Sequence, residues 1–286
     1  YGYYGDGNPI AWLDMQSTDK MTYKHTNINF SGEYEILDGL KFRQVVSFQP
    51  RDNMSSKFVK EIQFYDNTTG SPSMRQGVNN LTVYNNQEEL MTLQSLLTYD
   101  KSFGDHQLNV LGGFMDETRR ADFTSAYRQG FLGTQLEELV LGDASGQVAN
   151  GGAKKLILRS YFGRINYAFA NKYLFEANVR RDGTSRFIGE NRWNTFPSFS
   201  AGWRISQEGF FQNSNLANSV SELKLRGGWG ILGNQTLTGT AENAYPGADE
   251  WYPGIYTISS GYNYAFNNAL SSGGTVAVAA NPDMLW

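Results

Sequence analysis

Apolar and polar residues alternate along this chain with a period of two, in runs roughly ten to fifteen residues long, and few elements tolerate that pattern. From 22 to 36, Thr26, Ile28, Phe30, Tyr34 and Ile36 fall on one parity. His25, Asn27, Asn29, Ser31, Glu33 and Glu35 take the other. Successive side chains of an extended strand point to opposite faces, so such a strand has one apolar and one polar face. Leu37-Asp38-Gly39 reads as a turn, after which Leu40, Phe42, Val46 and Phe48 continue against Lys41, Arg43 and Ser47. A hairpin is predicted.

The pattern recurs at 90–103 and 107–116 across Gly104-Asp105-His106, and at 156–169 and 173–182 across Ala170-Asn171-Lys172. In this third hairpin Ile157, Tyr161, Ile165, Tyr167, Phe169, Tyr173, Phe175, Ala177 and Val179 share a face. Ser160, Arg164, Asn166, Glu176, Asn178, Arg180 and Asp182 oppose them. A fourth pair, 194–206 and 222–232, sets Phe199, Ala201, Trp203, Ile205, Leu223, Leu225, Trp229 and Ile231 against Ser198, Ser200, Arg204, Glu222, Lys224 and Arg226. About eight strands are expected, and the fold class is all-β.

The connections alternate too. Three of the hairpin turns are short, and the fourth is the longer 207–221. Between hairpins lie the excursions 50–89, 117–155 and 183–193, and no clear strand follows 232. Read as irregular loops, the two longest are unusual for a compact domain. Short turns at one rim and long loops at the other are the asymmetry of a barrel in an outer membrane.

A soluble β-sandwich also alternates, burying its apolar parity between two sheets. Strand length separates the two: globular strands run about five or six residues, while a tilted membrane-crossing strand needs about 9–11. Aromatic residues also gather beside the short turns, with Phe103 before one and Tyr167, Phe169, Tyr173 and Phe175 around another. That bias suits rings at a lipid–water interface. The composition, 14% aromatic with 31 Gly and no Cys, fits many strands and polar turns. A mean hydropathy of -0.48 is no objection, because alternation averages hydropathy away. No apolar run is long enough for a membrane-crossing helix. Net charge is -4, which disfavours nucleic acid as a partner. The N-terminal Tyr1-Gly2-Tyr3-Tyr4-Gly5 has no basic-then-apolar pattern. Asn281-Pro282-Asp283-Met284-Leu285-Trp286 reads as a turn leading onward, so a piece of a longer chain is expected.

The antiparallel transmembrane barrel assigns the faces. Tyr167, Phe175, Val179, Phe199, Trp203, Leu225 and Trp229 are expected to meet lipid, and Arg164, Glu176, Arg180, Arg204, Lys224 and Arg226 to line the lumen. Trp12, Trp251, Tyr252 and Tyr256, with Tyr1, Tyr3, Tyr4, Tyr262 and Tyr264, are loop aromatics able to stack on cargo or on a partner protein. No catalytic constellation is visible. The two histidines, His25 and His106, read as solvated polar residues. Glu88-Glu89 and Glu137-Glu138 read as solvated pairs rather than a metal site. Gly227-Gly228-Trp229-Gly230-Ile231-Leu232-Gly233 lacks the Lys-Ser/Thr ending of a phosphate loop. No enzyme activity, cofactor or metal is expected.

The stretch YFGRINYAFANKYLFEANVRRDGTSRF (161–187) continues through RWNTFPSFSAGWRISQEGFF (192–211) and LKLRGGWGILGNQ (223–235). These segments closely resemble the SusC/RagA family of TonB-dependent outer-membrane transporters. GNPIAWLD (7–14), LQSLLTYDKSFGDHQLNVLGGF (93–114) and NPDMLW (281–286) add to the resemblance. It implies that residues 1–286 are part of a larger, 22-stranded plugged barrel, whose plug and TonB-contacting segment are absent from this sequence. It further implies active import of oligosaccharides or peptides across the bacterial outer membrane. TonB energises that import, and a SusD-like surface lipoprotein serves as lid. A complete eight-stranded barrel with a structural or adhesive role, and a soluble glycan-binding all-β domain, are the other readings.

Overall fold

Strand is what alternation predicts, and strand is what most of the chain adopts. The computed structural model describes residues 2, 8–15, 17–235, 252, 257–266, 269–278, 281 and 286. In chain order the strands are β1 (Thr18–His25), β2 (Ile28–Leu37), β3 (Leu40–Val59), β4 (Ile62–Tyr65), β5 (Pro72–Gln76), β6 (Asn80–Phe103), β7 (His106–Gln129), β8 (Asp143–Phe169), β9 (Tyr173–Thr184), β10 (Trp193–Arg204), β11 (Lys224–Gly230), β12 (Thr257–Phe266) and β13 (Ala269–Val278). Nine of them form one sheet in the order β1-β3-β6-β7-β8-β9-β10-β11, with β2 also paired to β3. Nine strands therefore fill eight positions. The single strand predicted over 22–36 breaks at Thr26 and Asn27, and β1 and β2 pair with successive stretches of β3. Among the described residues, β1 and β11 end the sheet and do not pair with each other. Among the described residues no helix is long and apolar enough to cross a membrane.

The excursions 50–89 and 117–155 are not irregular loops. β3 runs on to Val59, β6 begins at Asn80, β7 ends at Gln129 and β8 begins at Asp143. Between β3 and β6 stands the small hairpin β4–β5. The region beyond 232 also contains a hairpin, β12–β13, so Tyr262 and Tyr264 sit on a strand. The turn 207–221 includes the short helix Gly209–Gln212.

The chain divides into two compact units. The first comprises Tyr1–Asn27, Gln49–Glu89 and Arg120–Lys154. Its cores are small: Phe58, Leu81 and Phe131 pack with Val83 and Leu139, and Ala11, Ile62 and Phe64 pack with Met15. The helix that supplies Ala11, α1 (Pro9–Asp14), starts where the Asn8 side chain accepts from the Ile10 amide, with Pro9 in its first turn. Asn79 holds the segment after β7: its side chain donates to the Phe131 carbonyl at 2.6 Å and accepts from the Phe131 amide at 2.9 Å.

The second unit comprises Ile28–Phe48, Leu90–Arg119 and Lys155–Trp286. Its short turns need left-handed backbone, with φ of +80° at Gly39 and +57° at Gly104, and of 50° and 55° at Ala170 and Asn171. Each turn is tied to the next hairpin. The Asp100 amide donates to the Gly39 carbonyl, Ala170 to Asp105 and Arg204 to Lys172. A Cβ added to Gly39 would meet the Asp100 carbonyl oxygen, so both backbone angle and close approach require glycine there.

Candidate functional site

Register sorts the second unit's side chains. Ala177 lies opposite Ile165 and Phe199, Phe175 opposite Tyr167 and Ala201, and Trp203 opposite Tyr173 and Leu225. Directly opposed residues point the same way, so these make one continuous apolar face. It is bare: Phe199, Trp229 and Leu225 are 54%, 60% and 63% exposed. Phe199 stacks on Trp229 with centroids 6.2 Å apart. A soluble sheet would bury such a face; among the described residues of the second unit its rings stand exposed.

Beside the turns the same face becomes a belt of rings. His106 lies between Phe103 at 5.0 Å and Phe169 at 4.9 Å, and its Nδ1 shares a 2.6 Å hydrogen bond with the Tyr167 hydroxyl. Phe169 stacks on Tyr173. His106 is therefore no solvated turn residue but a member of the aromatic belt. Two of its partners, Tyr167 and Phe169, come from the neighbouring hairpin, which sequence spacing could not show.

Glu208 was also invisible in the sequence. It follows β10, accepts from Tyr173 Oη at 2.7 Å and Trp203 Nε1 at 3.1 Å, and pairs with Lys172 Nζ at 3.1 Å. These bonds, that from Tyr173 foremost, hold its carboxyl below the ordinary glutamate range.

The opposite face carries the polar parity. Glu176 lies across from Asn166 and Ser200, Arg164 from Asn178, and Arg204 from Lys224. Asn109 donates to Asp100 at 2.6 Å, and Asn178 to Glu176 at 2.8 Å. Arg180 clasps Asp182 at 2.7 and 2.9 Å and donates to the fully buried Ser160 at 2.9 Å. A concavity of about 1040 Å³ is lined by Asp100, Asn109, Asn166, Glu176, Lys224 and Arg226 among others. The glycines at 202, 228 and 230 leave backbone bare beside it, opposite Arg226, Ser200 and Ser198. Of the six charged residues expected on this parity, Glu176, Lys224 and Arg226 line the concavity. Arg164 does not, Arg180 belongs to the Ser160 network, and Arg204 is held by Asn171. Among the described residues no cluster could hold a metal ion.

Of the loop aromatics, Trp12 stands exposed on α1 of the first unit. Tyr252, in the second unit, is half-buried with its hydroxyl 3.5 Å from Ser185 Oγ. Trp251 and Tyr256, like Tyr1, Tyr3 and Tyr4, lie outside the described residues.

Known proteins share this arrangement. The chain is 30% identical over 93% of its length to TonB-dependent receptor SusC of Bacteroides thetaiotaomicron. It is 30% identical over 81% to TonB-dependent receptor P3 of Formosa agariphila, and 32% over 82% to receptor P39 of the same organism. Its fold superposes along its whole length on the RagAB peptide transporter, with a TM-score of 0.77 at 20% identity. This chain belongs to the SusC/RagA family of TonB-dependent receptors. No family model matches it. The chain spans 22–24% of the length of these curated relatives and 29% of the RagAB chain. The bare apolar face and the short-turn rim are thus those of a barrel segment, part of a larger SusC-like wall.

Proposed function

We propose that these 286 residues are part of the barrel domain of an outer-membrane importer for oligosaccharides or peptides. In this reading the plug and the TonB-contacting segment lie outside them, and TonB supplies the energy. A SusD-like surface lipoprotein serves as lid. One observation carries the reading: a single sheet divides into a bare apolar face and a charged face, residue by residue, across β8 to β11. Lipid wets the first face, and the lumen or its plug meets the second, with Arg164, Glu176, Arg180, Arg204, Lys224 and Arg226. The curated relatives are named as receptors and the structural ones as transporters, which supports import over catalysis. Exposed Trp12 is a candidate contact for cargo or lid, and so is the 251–256 segment.

Deleting TonB tests this. Uptake of cargo by cells carrying the full-length protein should be abolished while surface binding persists. Uptake that continues without TonB or a proton gradient would mark a passive porin.

A further inference from the structure

A groove of about 470 Å³ opens on the bare apolar face. Register explains its shape. Tyr167, Phe175, Ala201 and Gly227 lie side by side across β8 to β11, and the next row on that face is Ile165, Ala177, Phe199 and Trp229. Rings fill the β8–β9 half of the first row and the β10–β11 half of the second. Each half is a stacked pair, Tyr167 with Phe175 at 6.4 Å and Phe199 with Trp229 at 6.2 Å. Ala177 and Ala201 leave the diagonal between the two pairs low, and a Cβ added to Gly227 would meet nothing within 4 Å. β9 and β10 are each paired on both sides, so this floor lies within the sheet and not at its edge. Its volume falls within the range of small-molecule sites, about 300–1,000 Å³.

Toward the short-turn rim the groove leads to charge. Two residues beyond Ala201, on the same face, stands Trp203, opposite Tyr173. Both donate to Glu208 Oε1, and Lys172 Nζ donates to Oε2 at 3.1 Å. Both charged side chains are partly exposed. An ammonium carries more donors, and a carboxylate more acceptor sites, than this pairing uses. An acyl chain lying in the groove would set its own headgroup at the rim, where the belt of rings marks the lipid–water interface. A zwitterion complements the pair there: phosphate oxygens accept from Lys172, and a primary ammonium donates to Glu208. A choline has no N–H to donate, and a glycerol headgroup has no cation.

We propose that the groove over Ala177 and Ala201, with the Lys172–Glu208 pair at its end, is a site for one phospholipid with a primary-amine headgroup, a phosphatidylethanolamine. Its tail lies between the two stacked ring pairs and its headgroup meets the charged pair. The site rests on the lipid-facing reading of the apolar parity and adds to it a place where one lipid is chosen over others.

The test uses the purified full-length protein in detergent, stripped of lipid and read by native mass spectrometry. Phosphatidylethanolamine, phosphatidylcholine and phosphatidylglycerol with identical tails are titrated in turn. The first should bind at least about tenfold tighter than either of the others, the least expected when a hydrogen bond between charged groups is lost. Ala201→Phe, and separately Ala177→Leu, should fill the floor and abolish that tight binding, with heat-modifiable migration unchanged as the control for folding. Glu208→Gln should keep the tail bound but bring phosphatidylethanolamine level with phosphatidylcholine. Equal binding of all three lipids would overturn the proposal, as would a preference that survives both floor variants or Glu208→Gln. A second copy of the protein seated in the groove would also overturn it, seen as a dimer that Ala201→Phe dissolves while lipid binding stays. Failure of the lipid-facing reading looks different: water would then reach positions 175, 177 and 199.

Discussion

At the scale of the residue, parity decides what a substitution costs. Ala177 and Phe199 oppose each other on the bare apolar face, while Ser200, one residue on, faces the other way beside Glu176. An arginine at Ala177 or Phe199, set in lipid, should cost ~2–4 kcal/mol, and Ser200→Arg should be nearly silent. Reversible unfolding of the full-length protein in lipid vesicles measures both. Parity was legible in the sequence because it repeats locally. Glu208 was not, since its three partners, Lys172, Tyr173 and Trp203, belong to the β8–β9 turn, β9 and β10. Its carboxyl is held below the ordinary range, so its contribution is present above the unfolded value and lost as pH falls through the folded one. Protection of the 205–212 amides, taken relative to their intrinsic exchange at each pH, should therefore fall on acidification below about pH 4, the ordinary glutamate range. Glu208→Gln should show that lower protection already at neutral pH and lose most of its pH dependence.

At the scale of the element, alternation reports where a strand touches an apolar medium rather than where the strand ends. β6 and β7 each run 24 residues, yet the alternating stretches 90–103 and 107–116 fall within the second unit. Toward the first unit, residues such as Asn85, Asn86, Gln87, Glu88 and Glu89 place polar groups on both parities. The backbone ladder continues there without an apolar face, so sequence reading mistook strand for loop. The hidden order has its own latch at Asn79. Asn79→Ala would strip partners from the half-buried Phe131 amide and carbonyl, at ~1–3 kcal/mol for each group left unsatisfied. Limited proteolysis at 130–142 should accelerate, with the β8–β9 hairpin unaffected. At the opposite kind of turn, Gly39→Ala combines a left-handed φ, costing roughly 1–2 kcal/mol, with a clash against the Asp100 carbonyl. The melting temperature of the full-length protein should fall.

At the scale of the whole molecule, an open sheet of eight positions in lipid leaves unpaired backbone groups at β1, β2 and β11, which a spanning sheet cannot leave in hydrocarbon. The remaining wall of the SusC-like barrel must supply their partners. The class of fold was legible from strand length, turn asymmetry and ring placement together. The central claim is that one sheet separates lipid from lumen, and the sequence offers a clean way to test it, since these 286 residues contain no cysteine. Single cysteines placed in turn from 174 to 180 in the full-length protein, spin-labelled in lipid vesicles, report contact with oxygen in lipid or with a water-borne nickel reagent. The account predicts oxygen contact at 175, 177 and 179, aqueous contact or protein packing at 174, 176, 178 and 180, and a period of two throughout. Equal access along both parities, or water contact at 175, 177 and 179, would contradict it.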